Sequence, residues 1–150
     1  MELIDAVTDF SIEKDIVRPE YDVEFRISEE REVFAWGRSL VPYQVYSSLC
    51  CVAYTHEIPI NMEQLTEYSI NHSPYRGDIA VAYTVWNCSD TKGSGRSLIL
   101  ALQKHFSSHA NINRLVTLSP LTEMAKKFHL SNGARLLSTN PESYNFEYGI

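Results

Sequence analysis

Features that would place this chain in several common classes are scarce or missing. It has 13 lysines and arginines against 19 aspartates and glutamates, giving a formal net charge of −6. We therefore expect no nucleic-acid partner, because neutralising phosphates requires a basic face. There is no apolar run long enough to cross a membrane, and the first residues, Met1 to Asp5, carry acids and lack a basic stretch. We therefore expect neither a membrane segment nor a signal peptide.

Cysteine is also scarce. Cys50, Cys51 and Cys88 are an odd number with an adjacent pair, which excludes a disulfide framework and favours a reduced, cytoplasmic setting. They lack the Cys-x-x-Cys spacing of metal sites, and we predict no metal. Cys88 follows a predicted strand, but a nucleophilic thiol needs a basic neighbour that the sequence does not identify. A buried structural thiol is the simpler interpretation of this residue.

The remaining composition favours one domain. An apolar content of 44% over 150 residues is enough to bury a core, and we predict a single domain over 1–150. Hydrophobic periodicity predicts an α/β (α+β) fold with a mixed sheet flanked by helices. No element is predicted for the N-terminal segment 1–21. The predicted order is strand 33–36, a loop at 41–43, strand 46–55, a helix over 61–69 capped by Asn61, strand 79–86, helix 97–106, strand 112–118, a helix from Leu121, and strands 134–137 and 144–148, the last as a closing edge strand.

The helix that begins at Leu121 carries one histidine in its last turn. Asn132-Gly133 ends the helix, since glycine readily takes the left-handed conformation of a C-cap. His129 lies in the preceding turn, where the helix dipole favours the charged imidazole and would help it donate a proton. The alternative is a histidine that is simply packed or exposed. Five apolar residues are predicted to form the buried stripe of this helix: Leu121, Met124, Ala125, Phe128 and Leu130.

A glycine-rich turn follows the apolar strand 79–86. It reads Asp90-Thr-Lys-Gly-Ser-Gly95 and leads into the helix 97–106. In this arrangement the N–H groups of a helix N-terminus bind phosphate or pyrophosphate. We predict an anion site formed by Lys92, Gly93, Ser94, Gly95 and Arg96. An ordinary tight turn is the alternative, because the turn lacks the Gly-Lys-Ser/Thr of a P-loop and the third glycine of a dinucleotide fingerprint.

These two units together resemble the GNAT superfamily of acyl-CoA-binding enzymes. In that family a loop of pattern Gln/Arg-x-x-Gly-x-Gly/Ala binds the CoA pyrophosphate, and here the pattern is Asp90-x-x-Gly93-x-Gly95 with an acid at the first position. The family usually has a tyrosine on the later helix that protonates the leaving thiolate. His129 stands at that position here. The resemblance implies a GNAT-like mixed sheet and a coenzyme A thioester as substrate, with no permanently bound cofactor.

A narrower resemblance, from about Arg31 to Leu137, is to a shortened malonyl-CoA decarboxylase catalytic domain. Four segments occur in that family's order, and the last two are the most specific. The segments run from Cys51 to Pro59 (CVAYTHEIP), Tyr83 to Cys88 (YTVWNC), Leu115 to Pro120 (LVTLSP) and Phe128 to Ala134 (FHLSNGA).

The narrower resemblance implies two catalytic residues. The family uses the histidine of Phe-His-Leu, which is His129, and a serine on the strand that matches Tyr83 to Cys88. The matching position is Thr84 or Trp86, and we predict Thr84 because threonine keeps the hydroxyl. A β-branched residue that only fills the strand is the alternative for Thr84.

Three functions follow from these resemblances. The first is decarboxylation of malonyl-CoA or a similar β-carboxyacyl thioester. The second is acyl transfer from CoA to an amine, which needs a base such as Glu57, Glu63 or Glu67. The third is a module that binds acyl-CoA or a partner without catalysis, favoured if Thr84 points into the core or Asp90 repels the pyrophosphate. The sequence leaves the oligomeric state open, a homo-oligomer included.

Overall fold

The computed structural model describes residues 1–4, 32–40, 43–69, 71–72, 75–87 and 92–150. Within these ranges the chain forms helices and strands that alternate along the sequence. The strands are β1 (Glu2–Ile4), β2 (Glu32–Leu40), β3 (Tyr43–Thr55), β4 (Asn71–His72), β5 (Tyr75–Arg76), β6 (Ile79–Asn87), β7 (Arg114–Thr117), β8 (Ser119–Pro120), β9 (Arg135–Thr139) and β10 (Ser143–Tyr148); the helices are α1 (Met62–Tyr68), α2 (Ser94–Ser107) and α3 (Glu123–Ser131).

Eight of the described strands form one mixed sheet. Its order is β1-β2-β3-β6-β7-β10-β8, with β9 on the other side of β10, while β4 and β5 pair separately. Neighbouring strands are antiparallel except β6 and β7, which run parallel. That parallel pairing is short and ends where Ala82 faces Thr117. Beyond this point β6 continues alone on that edge, and the chain after β7 follows β10 instead.

The core lies on both faces of the sheet. On one face Leu65 of α1 packs with alternate strand residues such as Val81 and Tyr83. On the other face Leu98 and Phe106 of α2 pack against the intervening residues of the same strands. Each central strand is therefore covered on both sides, which explains its nearly continuous apolar sequence. The predicted mixed sheet flanked by helices is confirmed.

Most predicted elements are found, with shifted ends. Strands β2 and β3 are longer than predicted, and α2 begins at Ser94 instead of 97. Asn61 caps α1 as predicted, its side-chain oxygen accepting a 2.8 Å hydrogen bond from the Gln64 N–H. Gly133 follows α3 with a φ of +93°, the left-handed conformation expected of it. The predicted loop at 41–43 lies mostly outside the described residues, and β1 falls in the segment for which no element was predicted.

Two predictions are wrong. The segment 144–148 is no edge strand, because β10 pairs with β7 and β8 on one side and with β9 on the other. Its polar and apolar alternation arises instead from the different surroundings of its two faces. The predicted apolar stripe of α3 is not its buried face: Leu121, Met124 and Leu130 are 42%, 82% and 43% exposed. The buried residue of this helix is His129.

Among the described residues there is no helix with the length and apolar character needed to span a membrane.

Candidate active site

A cavity of about 310 Å³ occupies the wedge between β6 and the chain that leaves β7. The last bond that joins the two strands is donated by the Leu118 N–H to the Ala82 carbonyl, at 3.0 Å. Past it, the edge of β6 that faced β7 has no strand partner in the described structure, so its peptide groups are available to a ligand. The walls of this wedge cavity come from β6, β8, the first turn of α2 and the length of α3: Ala82, Tyr83, Thr84, Val85, Asn87, Gly95, Leu118, Ser119, Pro120, Thr122, Met124, Ala125, Phe128 and His129.

Thr84 lies in this wall at an irregularity of β6. Thr84 faces Cys51 and Ala82 faces the next residue, Val52, so Tyr83 is the extra residue of a β-bulge. Such a bulge changes the alternation of side chains along a strand. Thr84 is 4% exposed, and its hydroxyl is a buried group with no hydrogen-bond partner among the described residues. A buried hydroxyl without a partner costs free energy that a ligand oxygen would recover.

His129 reaches the same cavity from the last turn of α3. Its Nδ1 lies 2.6 Å from the hydroxyl oxygen of Tyr148, and its ring packs on Phe146 with the centroids 5.0 Å apart. Within the described residues, Nδ1 is the one acceptor within reach of the Tyr148 hydroxyl, which is itself buried. We therefore assign Tyr148 as donor to Nδ1, because the reverse would leave the tyrosine proton without an acceptor. The imidazole proton is then on Nε2, the nitrogen left for a ligand in the cavity.

The predicted preference of His129 for the charged form is wrong. Burial lowers the pKa of His129 from 6.5 to about 4. The penalty for placing a charge in this apolar site outweighs the favourable helix dipole, which contributes at most about 2 kcal/mol. Burial likewise raises the pKa of Tyr148 above its usual value. Both partners of the 2.6 Å bond are therefore neutral at pH 7, and His129 presents a neutral N–H donor.

Ser119 is a site residue that the sequence analysis quoted within a motif but did not single out. It lines the wedge cavity opposite β6 and is 5% exposed. Its hydroxyl lies 2.9 Å from the hydroxyl of Thr117. The signal that marks it in the sequence is a serine two residues after the end of the strand that runs parallel to β6, because ligands bind beyond the carboxyl ends of parallel strands.

The first turn of α2 forms one end of the cavity. Gly93 precedes the helix with a φ of +82°, and no described side chain caps this terminus. A 2.8 Å bond from the Ser48 hydroxyl to the Ser94 carbonyl fixes the terminus to β3. A Cβ built on Gly95 would lie 3.4 Å from Cε2 of Phe128, so the glycine lets α2 pack directly against α3. The amides of Gly95 and Arg96 lie in the first turn, where a helix provides them with no acceptor.

The predicted anion-site residues are thus together at this terminus, with Lys92 and Arg96 exposed to solvent. The five residues of the prediction occupy consecutive positions at the start of α2. Cys88 and Asp90 lie outside the described residues. Binding of an anion here stays a prediction.

A second cavity of about 330 Å³ meets the first across a shared wall. Tyr83, Leu118, Ser119 and Pro120 line both cavities. The described residues that line the wedge cavity include no charged side chain. The second cavity, which we call the acidic cavity, carries two carboxylates, those of Glu63 and Glu142. Of the three glutamates proposed as a base, Glu57 and Glu67 are exposed and line neither cavity.

Comparison with protein-family models and with curated protein sequences finds no match. Comparison with solved structures finds several similar chains. One is the loading GNATL domain of CurA from Lyngbya majuscula, with a TM-score of 0.60, 11% sequence identity, and a match that covers 85% of this chain and 83% of that one. Another is AtaTR bound with AcCoA, with a TM-score of 0.59, 14% identity, and coverage of 97% and 94%. This chain has a GNAT-like fold.

A third similar structure is malonyl-CoA decarboxylase from Cupriavidus metallidurans. Its TM-score is 0.52 at 20% identity, and the match covers 86% of this chain but 33% of that one. At these identities the likeness supports the GNAT-like fold without selecting the decarboxylases within it.

The expectation that the five histidines include no His-x-x-x-His pair is wrong, because His105 and His109 have this i, i+4 spacing of metal ligands. His105 and His109 lie at the end of α2 with ring centroids 4.8 Å apart. A resident metal needs at least a third ligand. No group of three or more His, Cys, Asp or Glu able to hold a metal occurs within the described ranges, and the absence of a metal stays a prediction.

Replacing Tyr148 with phenylalanine should allow the neutral His129 imidazole to adopt both tautomers. The hydroxyl that donates to Nδ1 is lost, so the Nδ1–H form becomes accessible and the ring loses its fixed Nε2–H. The measurement is the pair of imidazole 15N chemical shifts of His129 in uniformly labelled protein at pH 7. We expect one Nε2–H tautomer in the wild type and a mixture in Tyr148→Phe. Tyr144→Phe on the same strand is the matched control, and unchanged shifts in Tyr148→Phe would contradict the assignment.

Proposed function

We propose that this GNAT-like chain binds an acyl-CoA thioester in the wedge cavity and removes CO2 from malonyl-CoA or a similar β-carboxyacyl thioester. The observation that carries the proposal is the character of this cavity. Its described walls hold no charge, yet they include residues with hydrogen-bonding side chains, among them Thr84, Ser119 and His129. An uncharged, mostly apolar site favours loss of a carboxylate as neutral CO2, because the carboxylate gives up strong hydration when it enters.

Coenzyme A would lie along the first turns of α2 and α3. The first-turn amides of Gly95 and Arg96 suit the pyrophosphate, and the exposed cations of Lys92 and Arg96 stand beside it. Gly95 belongs both to this terminus and to the cavity wall. A thioester held by its pyrophosphate at the helix would therefore have its acyl group directed into the wedge. Coenzyme A is a substrate in this proposal, with no permanently bound cofactor.

The reaction requires one bond to break and one proton to be supplied. The bond between the α-carbon and the carboxylate breaks, CO2 leaves, and the electron pair passes into the thioester as an enolate. The enolate carbon then takes the Nε2 proton of His129, which gives acetyl-CoA when malonyl-CoA is the substrate. As Nε2 gives up its proton, the Tyr148 hydroxyl passes its own proton to Nδ1, so the imidazole stays neutral. A proton from solvent at Nε2 and return of the Nδ1 proton to Tyr148 then restore the resting pair. The net change is uptake of one proton and release of one CO2.

The two hydroxyls take separate roles. Thr84 has the unpartnered hydroxyl, which would hold the departing carboxylate and turn it out of the thioester plane. Ser119, on the opposite wall, would donate to the thioester oxygen, where negative charge develops. The peptide N–H groups that β6 presents past Ala82 are additional donors for that oxygen.

The test is incubation of the purified protein with malonyl-CoA, followed by mass spectrometry of the CoA products. We expect acetyl-CoA to accumulate in the wild type. Because each hydroxyl stabilises a charge of the reacting group, Thr84→Val and Ser119→Ala should each lower the rate about 100-fold. Thr66→Val, which alters an exposed hydroxyl on α1, is the matched control and should keep the rate. Malonyl-CoA that stays intact in the presence of folded protein would overturn the proposal for this substrate.

Acyl transfer to an amine is the second candidate, and the acidic cavity favours it. Glu63 and Glu142 provide negative charge on the far side of the shared wall, where an ammonium group would approach the thioester. The discriminating incubation contains acetyl-CoA with a polyamine such as spermidine and with a lysine-containing peptide. Release of CoA that depends on the amine and is lost in Glu63→Gln would support transfer. Acetyl-CoA that remains intact beside decarboxylated malonyl-CoA would support the lyase.

The partner implied by either reaction is a small acyl-CoA, and the expected absence of a nucleic-acid partner stays a prediction. A non-catalytic module that binds acyl-CoA or a partner would be favoured by a Thr84 that points into the core. Thr84 lies in the wall of the wedge cavity while its hydroxyl is buried, so this alternative stays a prediction.

A further inference from the structure

We propose that Thr117, which does not line the wedge cavity, is a positioning residue that directs the Ser119 proton toward the thioester oxygen. This inference rests on the proposed function of the cavity, and its test separates the two. Thr117 is the last residue of β7 and is fully buried, and Ser119 begins β8 two residues later. The two hydroxyl oxygens are 2.9 Å apart, a distance that allows either one to be the donor.

The contacts of Thr117 decide which one donates. The Phe146 N–H donates to the Thr117 hydroxyl oxygen at 3.1 Å, so this oxygen already serves as an acceptor. The Asn145 amide donates to the Thr117 carbonyl at 2.9 Å, which holds the residue against β10. Within the described part of the chain, the Ser119 oxygen is the one acceptor near the proton of the Thr117 hydroxyl. Thr117 has 0% exposure, so no solvent reaches it.

Only one arrangement satisfies both hydroxyls. If Ser119 donated to Thr117, the Thr117 proton would be buried without an acceptor, which costs free energy. If Thr117 donates to Ser119, each proton is used and the Ser119 proton remains for another acceptor. Ser119 lines both cavities, so that proton is directed to the space where a thioester would lie. The direction of the chain is therefore from the Phe146 N–H through Thr117 and Ser119 to the ligand.

A donor chain of this kind strengthens its last member. Each hydroxyl that accepts a hydrogen bond becomes a better donor, since the bonds polarise one another in a low-dielectric interior. The Ser119 hydroxyl is thereby fixed in rotation and polarised before the ligand arrives. Such preorganised donors stabilise negative charge on an enolate oxygen without reorganisation during the reaction.

The kinetic test uses Thr117→Val, which keeps the shape of the side chain and removes the hydroxyl. We expect kcat for malonyl-CoA to fall about tenfold with KM little changed, because the donor chain acts on developing charge more than on the bound substrate. Thr117→Ser keeps the hydroxyl and should restore most of kcat. A Thr117→Ser variant as slow as Thr117→Val, with both folded, would overturn the inference.

The spectroscopic test does not require decarboxylation. The infrared carbonyl stretch of bound acetyl-CoA, labelled with 13C at the thioester carbon, falls in frequency as hydrogen bonds to its oxygen strengthen. We expect the lowest frequency in the wild type and Thr117→Ser, a higher one in Thr117→Val, and the highest in Ser119→Ala. A shift in Ser119→Ala without one in Thr117→Val would overturn the role of Thr117 alone. Failure of the wild type to bind acetyl-CoA would overturn the proposed function together with it.

Discussion

Replacing His129 with alanine is expected to lower kcat for malonyl-CoA decarboxylation about 1,000-fold, as for loss of a general acid that acts in the transition state. The reason is that Nε2–H is the proposed proton donor to the enolate carbon in the wedge cavity. Acetyl-CoA binding should change little, because the proposed pyrophosphate site at the start of α2 is unaltered. The measurements are single-turnover product formation by mass spectrometry and the Kd for acetyl-CoA.

Two variants serve as controls for this result. His129→Gln keeps an acceptor for the Tyr148 hydroxyl and fills most of the buried space, so it should fold well and remain inactive. His109→Ala changes an exposed histidine and should retain full activity. Activity of His129→Gln within tenfold of the wild type would contradict a proton-donating role.

The buried imidazole also predicts a pH effect on stability that is independent of catalysis. The pKa of His129 is 6.5 when exposed and about 4 in the folded protein. Between these values the unfolded chain binds a proton that the folded chain does not, so acid favours unfolding. This contribution is fully present above pH 6.5 and is lost as the pH falls to about 4, at a cost of about 3 kcal/mol. Urea unfolding at several pH values should show this fall in the wild type and its absence in His129→Gln.

Replacing Asn145 with aspartate is expected to lower the free energy of unfolding by about 3 kcal/mol. Asn145 is 0% exposed, and its amide group makes four hydrogen bonds. The nitrogen donates to the carbonyls of Pro59 and Thr117, both at 2.9 Å. The oxygen accepts from Ser138 at 2.9 Å and Asn140 at 2.8 Å. A carboxylate provides neither donor, so two buried carbonyls lose their partners and face a negative charge.

The measurement for Asn145→Asp is urea unfolding at pH 7. Asn111→Asp, at an exposed position, changes the same atom and should leave the free energy of unfolding within about 0.5 kcal/mol of the wild type. Equal stability of the two variants would show that the Asn145 network is dispensable. Asn145 also donates a hydrogen bond to the Thr117 carbonyl. We therefore expect the activity per folded molecule of Asn145→Asp to be lower than that of the wild type.

Local pattern was a good guide to the elements of this fold. The β-branched run at 79–86 is the central strand β6, and the Asn61 cap and the Gly133 stop occur where the sequence places them. These features depend on near neighbours in the chain, so the local sequence is enough to predict them. The apolar residues of α3 were misread because periodicity identifies a possible buried face and does not show which surface exists to cover it.

For the candidate site, the sequence by itself determined the chemistry available: a histidine before an Asn-Gly helix end, hydroxyls near the ends of two strands, and glycines at the start of α2. Tertiary structure decided how these groups are used. The separation of β6 from β7 creates the cavity, and the bulge at Tyr83 sets the position of Thr84. Burial against Phe146 and Tyr148 makes His129 neutral, the reverse of the charge predicted from its helix. These properties depend on residues distant in the chain, because desolvation, hydrogen-bond direction and cavity shape are set by whatever packs across the gap.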